Sequence, residues 1–310
     1  MLTKLLEIRE ILIIYFKRFE KQILTFLKFI LILMILTKMN EALGYATVLN
    51  RGLVNIALSI VLTLLPGKWV IFILGLLVTT HIAFASIEAA LIVGVLLIAL
   101  YFMYISLFPK MGYFILAVPL LFSSNLIYGV PIFAGLFFTP ITIIPITFGI
   151  IMHYFALSID SIIRLHSDDW VEMPSVIMAM YKEIVNTVFS DREMLFTIIV
   201  FAIIVVATYI ISRLSINYVW YITIGAVSLL NIILFIIGNL TLNLNLSVGG
   251  IIWRSILAAF ILVIIQFFKC IIDYNRTEKI QYEDDDYYYY VKAIPKIKIS
   301  TPERKIKRIK

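Results

Sequence analysis

The segment MLFTIIVFAIIVVATYIIS, residues 194–212, carries no charged side chain. Wound as an α-helix at 1.5 Å per residue it is about 28 Å long, close to the ~30 Å hydrocarbon core of a bilayer. Several comparable runs recur, and the composition agrees with them. Of 310 residues 62% are hydrophobic and 15% charged, with a mean hydropathy of +1.04, far from the make-up of a soluble domain. In lipid every backbone N–H and C=O must be bonded within the protein, so only helices and closed barrels cross. The runs lack the ten-residue alternation of a barrel. The chain therefore reads as all-α, a polytopic helical membrane protein.

Candidate spans are residues 22–38, 52–66, 69–84, 88–108, 131–152, 194–212, 216–238 and 251–272, with a further apolar segment at about 111–127. Five Lys and Arg precede residue 22 and ten follow Ile272. Positive charge stays on the cytoplasmic side, so both termini are expected there and the number of crossings is even. Nine segments cannot all cross. The expectation is about eight transmembrane helices plus one re-entrant or broken segment near 111–145. A hairpin made from 52–66 and 69–84 restores parity equally well. The resulting organisation is a cytoplasmic amphipathic segment 1–21, a membrane bundle 22–158 with proline-broken helices, and an extracytoplasmic amphipathic loop 159–193. A three-helix bundle 194–272 and a cytoplasmic tail 273–310, acidic and tyrosine-rich and then basic, complete it. The loop carries apolar residues at helical spacing around Met178, Met180, Ile184 and Val188. The first 21 residues mix acids and bases, unlike a cleavable signal.

Within 111–152 the chain is punctuated by Pro119, Pro131, Pro140 and Pro145 and by Gly129, Gly135 and Gly149. A proline inside a helix removes a donor and frees the carbonyl four residues earlier. Such backbone is tolerated in a membrane only where protein buries it or a watery cavity meets it. Discontinuous helices with exposed ends are how many transporters hold ions or polar solute groups near the midplane. Ser123, Ser124, Asn125, Thr139 and Thr142, with the prolines 131, 140 and 145, are thus candidates for a substrate or ion pathway. Kinks that merely let helices pack are the competing account. His81 and Glu88, seven residues apart, would share one face of a continuous helix and join the pathway candidates, because intramembrane ionisable groups are costly. Near the outer interface they would instead form a hydrated pair.

His153, Asp160, His166, Asp168 and Asp169 make an outer rim of imidazoles and carboxylates, at spacings that match no compact metal motif. Cys270 is the single cysteine, which excludes a disulfide within the chain and a thiolate metal site. There is no GxxxxGK[ST], HExxH, GxSxG or GxGxxG. The reading is therefore not an enzyme, with no cofactor and no metal. The net charge of +7 is read as topology and lipid contact, not nucleic acid. In the tail, Tyr287, Tyr288, Tyr289 and Tyr290 are candidates for docking a protein partner on the cytoplasmic side. Lys296, Lys298, Arg304, Lys305, Lys307 and Arg308 are candidates for anionic lipid head groups. The lipid bilayer itself is the remaining partner.

At LLFSSNLIYGVPIFAGLFFTPITIIPITFGI and at YEDDDYYYYVKAIPKI the chain is similar to uncharacterised multi-spanning membrane proteins of Gram-positive, clostridia-like bacteria. The resemblance implies a bacterial cytoplasmic membrane and carries no activity. A looser likeness, to the proline- and glycine-rich membrane subunits of vitamin uptake systems, is one of fold class. Two functions stay open. One is a small-solute or ion transport component that uses the broken region. The other is a non-catalytic scaffold that recruits a partner through its tail.

Overall fold

The computed structural model describes residues 2–108, 111–163, 173–187, 190–214, 218–244, 246–269, 278–283 and 288–293. It resolves into two compact units, residues 24–264 and the two ends, 1–23 with 265–310. Among the described residues twelve α-helices run in order. They are α1 (Leu2–Arg18), α2 (Glu20–Leu43), α3 (Gly52–Leu64), α4 (Gly67–Ala83), α5 (Ile87–Leu100), α6 (Tyr113–Ser123), α7 (Gly129–Phe137), α8 (Ile143–Ile163), α9 (Met173–Thr187), α10 (Arg192–Ile211), α11 (Val219–Leu242) and α12 (Val248–Lys269). A π-helical turn, Tyr101–Ile105, extends α5, and a 3-10 turn, Pro140–Thr142, leads into α8. Five helices are long and apolar enough to cross a membrane: α2, α8 with its leading turn, α10, α11 and α12. That is what an integral membrane protein requires. Helices α3, α4, α5 and α6 are apolar but shorter.

The exterior has the chemistry of a lipid-facing surface. Leu53, Leu64, Phe102, Leu240 and Phe260 are between 63% and 83% exposed, a coat of large side chains that water would drive together. Inside, helix ends are closed by local groups. Asp191 caps α10 by accepting from the Met194 N–H at 2.9 Å, and Ser86 caps α5 by accepting from Ala89 N–H. Lys28, on α2, donates to the Thr63 carbonyl at 2.8 Å and also to that of Leu65, satisfying the last turn of α3. Gly44 ends α2 with φ of +60°, a left-handed conformation that costs glycine nothing.

The expected span 131–152 is not one helix. It divides at Phe138 and Thr139, both extended, so that α7 and α8 are separate. Three of the four prolines prove to be helix starters. Pro131 lies in the first turn of α7, Pro140 opens the 3-10 turn, and Pro145 lies in the first turn of α8. At such positions the missing N–H has no partner within the helix to lose. Pro119 alone lies inside a helix. The carbonyl it frees, that of Ile115, faces Gly149 of α8, 3.2 Å from where a Cβ would sit. A Cα–H donor there is worth about 0.5–1 kcal/mol.

Glycine sets the distances in this region. A Cβ on Gly135 would lie 2.5 Å from Thr208 Cβ and 2.7 Å from the Val205 carbonyl, and one on Gly149 would lie 2.6 Å from Val118 Cβ. Helix α7 thus seats against α10 and α6 against α8, backbone on backbone. Gly149 meets Val118, and Phe122 stacks on His153, so α6 and α8 run parallel. The chain returns between them through α7: the Tyr104 hydroxyl, just after α5, donates to the Ile141 carbonyl at 3.3 Å. Helices α6 and α7, of 11 and 9 residues, are about 16 and 13 Å long and make a hairpin half the height of α8.

Residues 24–264 form a single unit in which α10 packs on both α7 and α8, so the segments on either side of the 159–193 loop share a core. The loop supplies α9, which packs on α5 and α8. Met180 is wholly buried while Met178 is exposed, so only one of the two expected methionines faces inward. In the tail, β1 (Glu278–Glu283) and β2 (Tyr288–Ala293) form an antiparallel hairpin pairing Glu278 with Ala293 and Glu283 with Tyr288, beside an otherwise all-helical fold.

Candidate functional site

A cleft of about 410 Å³ opens among α2, α4, α6 and α8. Its walls follow from helical periodicity. Helix α2 contributes Ile35, Lys38, Met39 and Ala42, and α6 contributes Leu116, Pro119, Leu120 and Ser123; each set recurs at three- and four-residue steps and so lies on one face. Leu74 and Val78 of α4, Met152, His153, Ala156 and Leu157 of α8, and Glu41, Leu43 and Phe122 complete it. The cleft exists because α6 stops at Ser123, alongside His153, while α8 runs ten residues farther to Ile163.

The polar groups of the cleft are few. Lys38 Nζ meets Glu41 Oε2 at 2.6 Å, with both side chains largely exposed. Ser123 is exposed, and His153 stacks on Phe122 with ring centroids 4.1 Å apart and planes 2° from parallel. Deeper in, Leu74 and Leu116 are buried. The arrangement is an apolar trough with a charged pair, a hydroxyl and an imidazole near its opening, the composition typical of small-molecule pockets.

Of the residues singled out in the sequence, Pro119, Ser123 and His153 line this cleft. The others do not gather around it. Ser124 returns its hydroxyl to the Leu120 and Leu121 carbonyls, and Asn125 takes the left-handed turn at the hairpin tip with φ of 60°. Thr139 and Thr142 lie at the opposite end of α7, about 13 Å of helix away, where Thr142 Oγ1 donates to the Thr139 carbonyl at 2.8 Å. The hydroxyls of Ser124 and Thr142 are thus spent on turn geometry. Pro131 and Pro145 are buried starters of their helices and Pro140 a half-buried one.

His81 and Glu88 are both buried, but on different helices. The turn Phe84–Ser86 separates them, so the expected shared face of a continuous helix is absent. His81 Nδ1 accepts from the Ala46 N–H at 3.3 Å, which assigns its proton to Nε2. Glu88 accepts from Ser86 Oγ at 2.7 Å. Asn40 binds the same 44–51 segment, donating to the Leu49 carbonyl at 2.7 Å and to Asn55 Oδ1 at 2.9 Å. The histidine's visible work is to pin that loop. Elsewhere in the core the Tyr154 hydroxyl donates to Glu193 Oε1 at 2.9 Å.

His166, Asp168, Asp169, Tyr287, Lys296, Lys298, Arg304, Lys305, Lys307 and Arg308 lie outside the described residues. Tyr288, Tyr289 and Tyr290 belong to β2. Sequence reasoning missed Lys38 and Glu41 because they close the first apolar run and read as its hydrated end. The available signal was their spacing: an ion pair at i and i+3 placed on the stripe of Ile35, Met39 and Ala42. Among known proteins no family model, no curated protein and no solved structure matches the chain.

Proposed function

We propose that the protein is a transport component of a bacterial cytoplasmic membrane that takes a small solute into the α2–α4–α6–α8 cleft. The observation that carries this reading is an open, mostly apolar cleft of about 410 Å³ beside a helix hairpin too short to span a bilayer. On this reading α6 and α7 are re-entrant, entering and leaving on the cytoplasmic side. Helices α2, α3, α4, α5, α8, α10, α11 and α12 then make eight crossings with both termini cytoplasmic. Lys68, Lys110 and Arg213 fall on the cytoplasmic side, in accord with the distribution of positive charge. The outer half of the bilayer above the hairpin tip is left for the solute.

The test uses single cysteines in a Cys270→Ser background, probed with a membrane-impermeant thiol reagent from each side. Ser123→Cys is expected to react from outside and Thr139→Cys from the cytoplasm. Failure of Ser123→Cys to react from either side, with Thr139→Cys reactive, removes the aqueous approach that transport needs.

A second reading, a scaffold that recruits a cytosolic partner, is favoured by the β1–β2 strand pair, whose edges offer backbone for strand addition. The basic segment that follows would adhere to anionic lipid. Deleting residues 273–310 separates the two. Solute handling survives the deletion on the first reading, and partner capture is lost on the second.

A further inference from the structure

The cleft is graded along its length. Its depth is set by Ile35, Leu74, Val78 and Leu116, all buried and all aliphatic. Met39 and Met152 lie between, and unbranched thioethers adapt to a chain of variable shape. At the opening stand Lys38, Glu41, Ser123 and His153. Among the described residues Ser123 and His153 make no side-chain hydrogen bond, while the stack on Phe122 holds the imidazole in place. Leu157, on the rim, is 69% exposed on an outer surface with the chemistry of a lipid contact.

We infer that the cleft holds a single-chain, zwitterionic amphiphile taken laterally from the bilayer, its chain lying inward and its head group between Lys38, Glu41, Ser123 and His153. The inference rests on the transport reading of this cleft. A volume of about 410 Å³ falls toward the small end of the roughly 300–1,000 Å³ of ligand pockets, which suits one chain better than two. The charge state of the head follows from the ion pair. Lys38 and Glu41 neutralise each other at 2.6 Å, so a purely anionic head must compete with Glu41 for the ammonium, and a purely cationic head must compete with Lys38 for the carboxylate. A head carrying both charges exchanges one pair for two and leaves neither side chain unpaired.

The experiment places the full chain in phosphatidylglycerol nanodiscs with three sixteen-carbon photoprobes that carry a diazirine at the chain end. Their heads are phosphocholine, phosphate and trimethylammonium, and adducts are mapped by peptide mass spectrometry. The phosphocholine probe is expected to mark the peptides of Leu74 and Leu116 at least tenfold more than either other probe. Lys38→Met should move the preference toward trimethylammonium and Glu41→Gln toward phosphate. Both side chains are surface-exposed, so the fold tolerates the changes. Equal labelling by all three heads overturns the head-group inference and leaves the cleft occupied. Labelling confined to lipid-facing positions such as Phe260, with no adduct in the cleft from any probe, overturns the transport reading as well.

Discussion

Helices α6 to α8 and helices α10 and α11 belong to one core and are equally apolar, yet they are built in opposite ways. Helix α10 runs from Arg192 to Ile211 without a proline or a glycine, and α11 continues for 24 residues. Over a comparable length the α6–α8 stretch starts a helix, stops, reverses, stops again and starts anew. Hydrophobicity does not distinguish the two regions. The difference lies in where prolines allow a helix to begin, and in glycines that let short helices approach closely enough to be held by the long ones. Short helices are poorly stable alone, so α7 depends on its seat against α10 in a way that α10 does not depend on α7.

The largest effect should come from disturbing that seat. Gly135→Val places methyl groups into Thr208 and the Val205 carbonyl, where a single Cβ is already too close. Overpacking of this kind costs about 3 kcal/mol, read as a fall in the midpoint of thermal unfolding followed by circular dichroism in detergent. Gly225 of α11 has open space around its Cβ position, and Gly225→Ala should raise stability by about 0.5–1 kcal/mol through helix propensity. Equal responses at the two glycines would mean that α7 is not held by α10, and the contrast between the regions would fail.

The next effect separates the prolines. Pro119→Ala restores a donor to the freed Ile115 carbonyl inside α6 and should stabilise by about 1–2 kcal/mol. Pro145→Ala, at a helix start, has no such bond to recover. It loses the packing of buried ring methylenes and should destabilise by about 1 kcal/mol. The same unfolding measurement reads both. A shared sign would show that proline acts alike at both places, contrary to the starter role assigned to Pro145.

Much of this architecture is legible in the amino-acid sequence. Long apolar runs with few charges located α2, α10, α11 and α12 within a few residues, because hydrophobicity and length dominate where no proline interrupts them. The prolines marked the broken region, but the break fell at Phe138 and Thr139. A proline reads the same in sequence whether it ends a helix or begins one, and only the partner of the preceding carbonyl decides. The candidate hydroxyls part for a related reason, with Ser123 at the cleft and others bonded locally. Ser124 and Thr142 bond to carbonyls three or four residues away, a local use that composition cannot tell from a ligand site. The cleft went unseen since it joins residues from position 35 to position 157, and its charged pair resembles an ordinary hydrated helix end.

The smallest predicted effect concerns the polar residue at the middle of the continuous region. Asn231 is wholly buried in α11, and its amide donates to Ser255 Oγ of α12 over a long 3.4 Å. Among the described residues its own oxygen and the hydroxyl of Ser228, one turn earlier, find no hydrogen-bond partner. If this pair serves only to register two packed helices, a double-mutant cycle of Asn231→Leu and Ser255→Ala should give a coupling of about 0.6 kcal/mol, the average for interhelical hydrogen bonds in a membrane. Asn231→Leu alone should then be neutral or stabilising, since it removes an unsatisfied acceptor. A coupling above about 1.5 kcal/mol would exceed what one long hydrogen bond supplies. It would place a bound ion or water between α11 and α12, moving the functional weight of the core from its broken half to its continuous one.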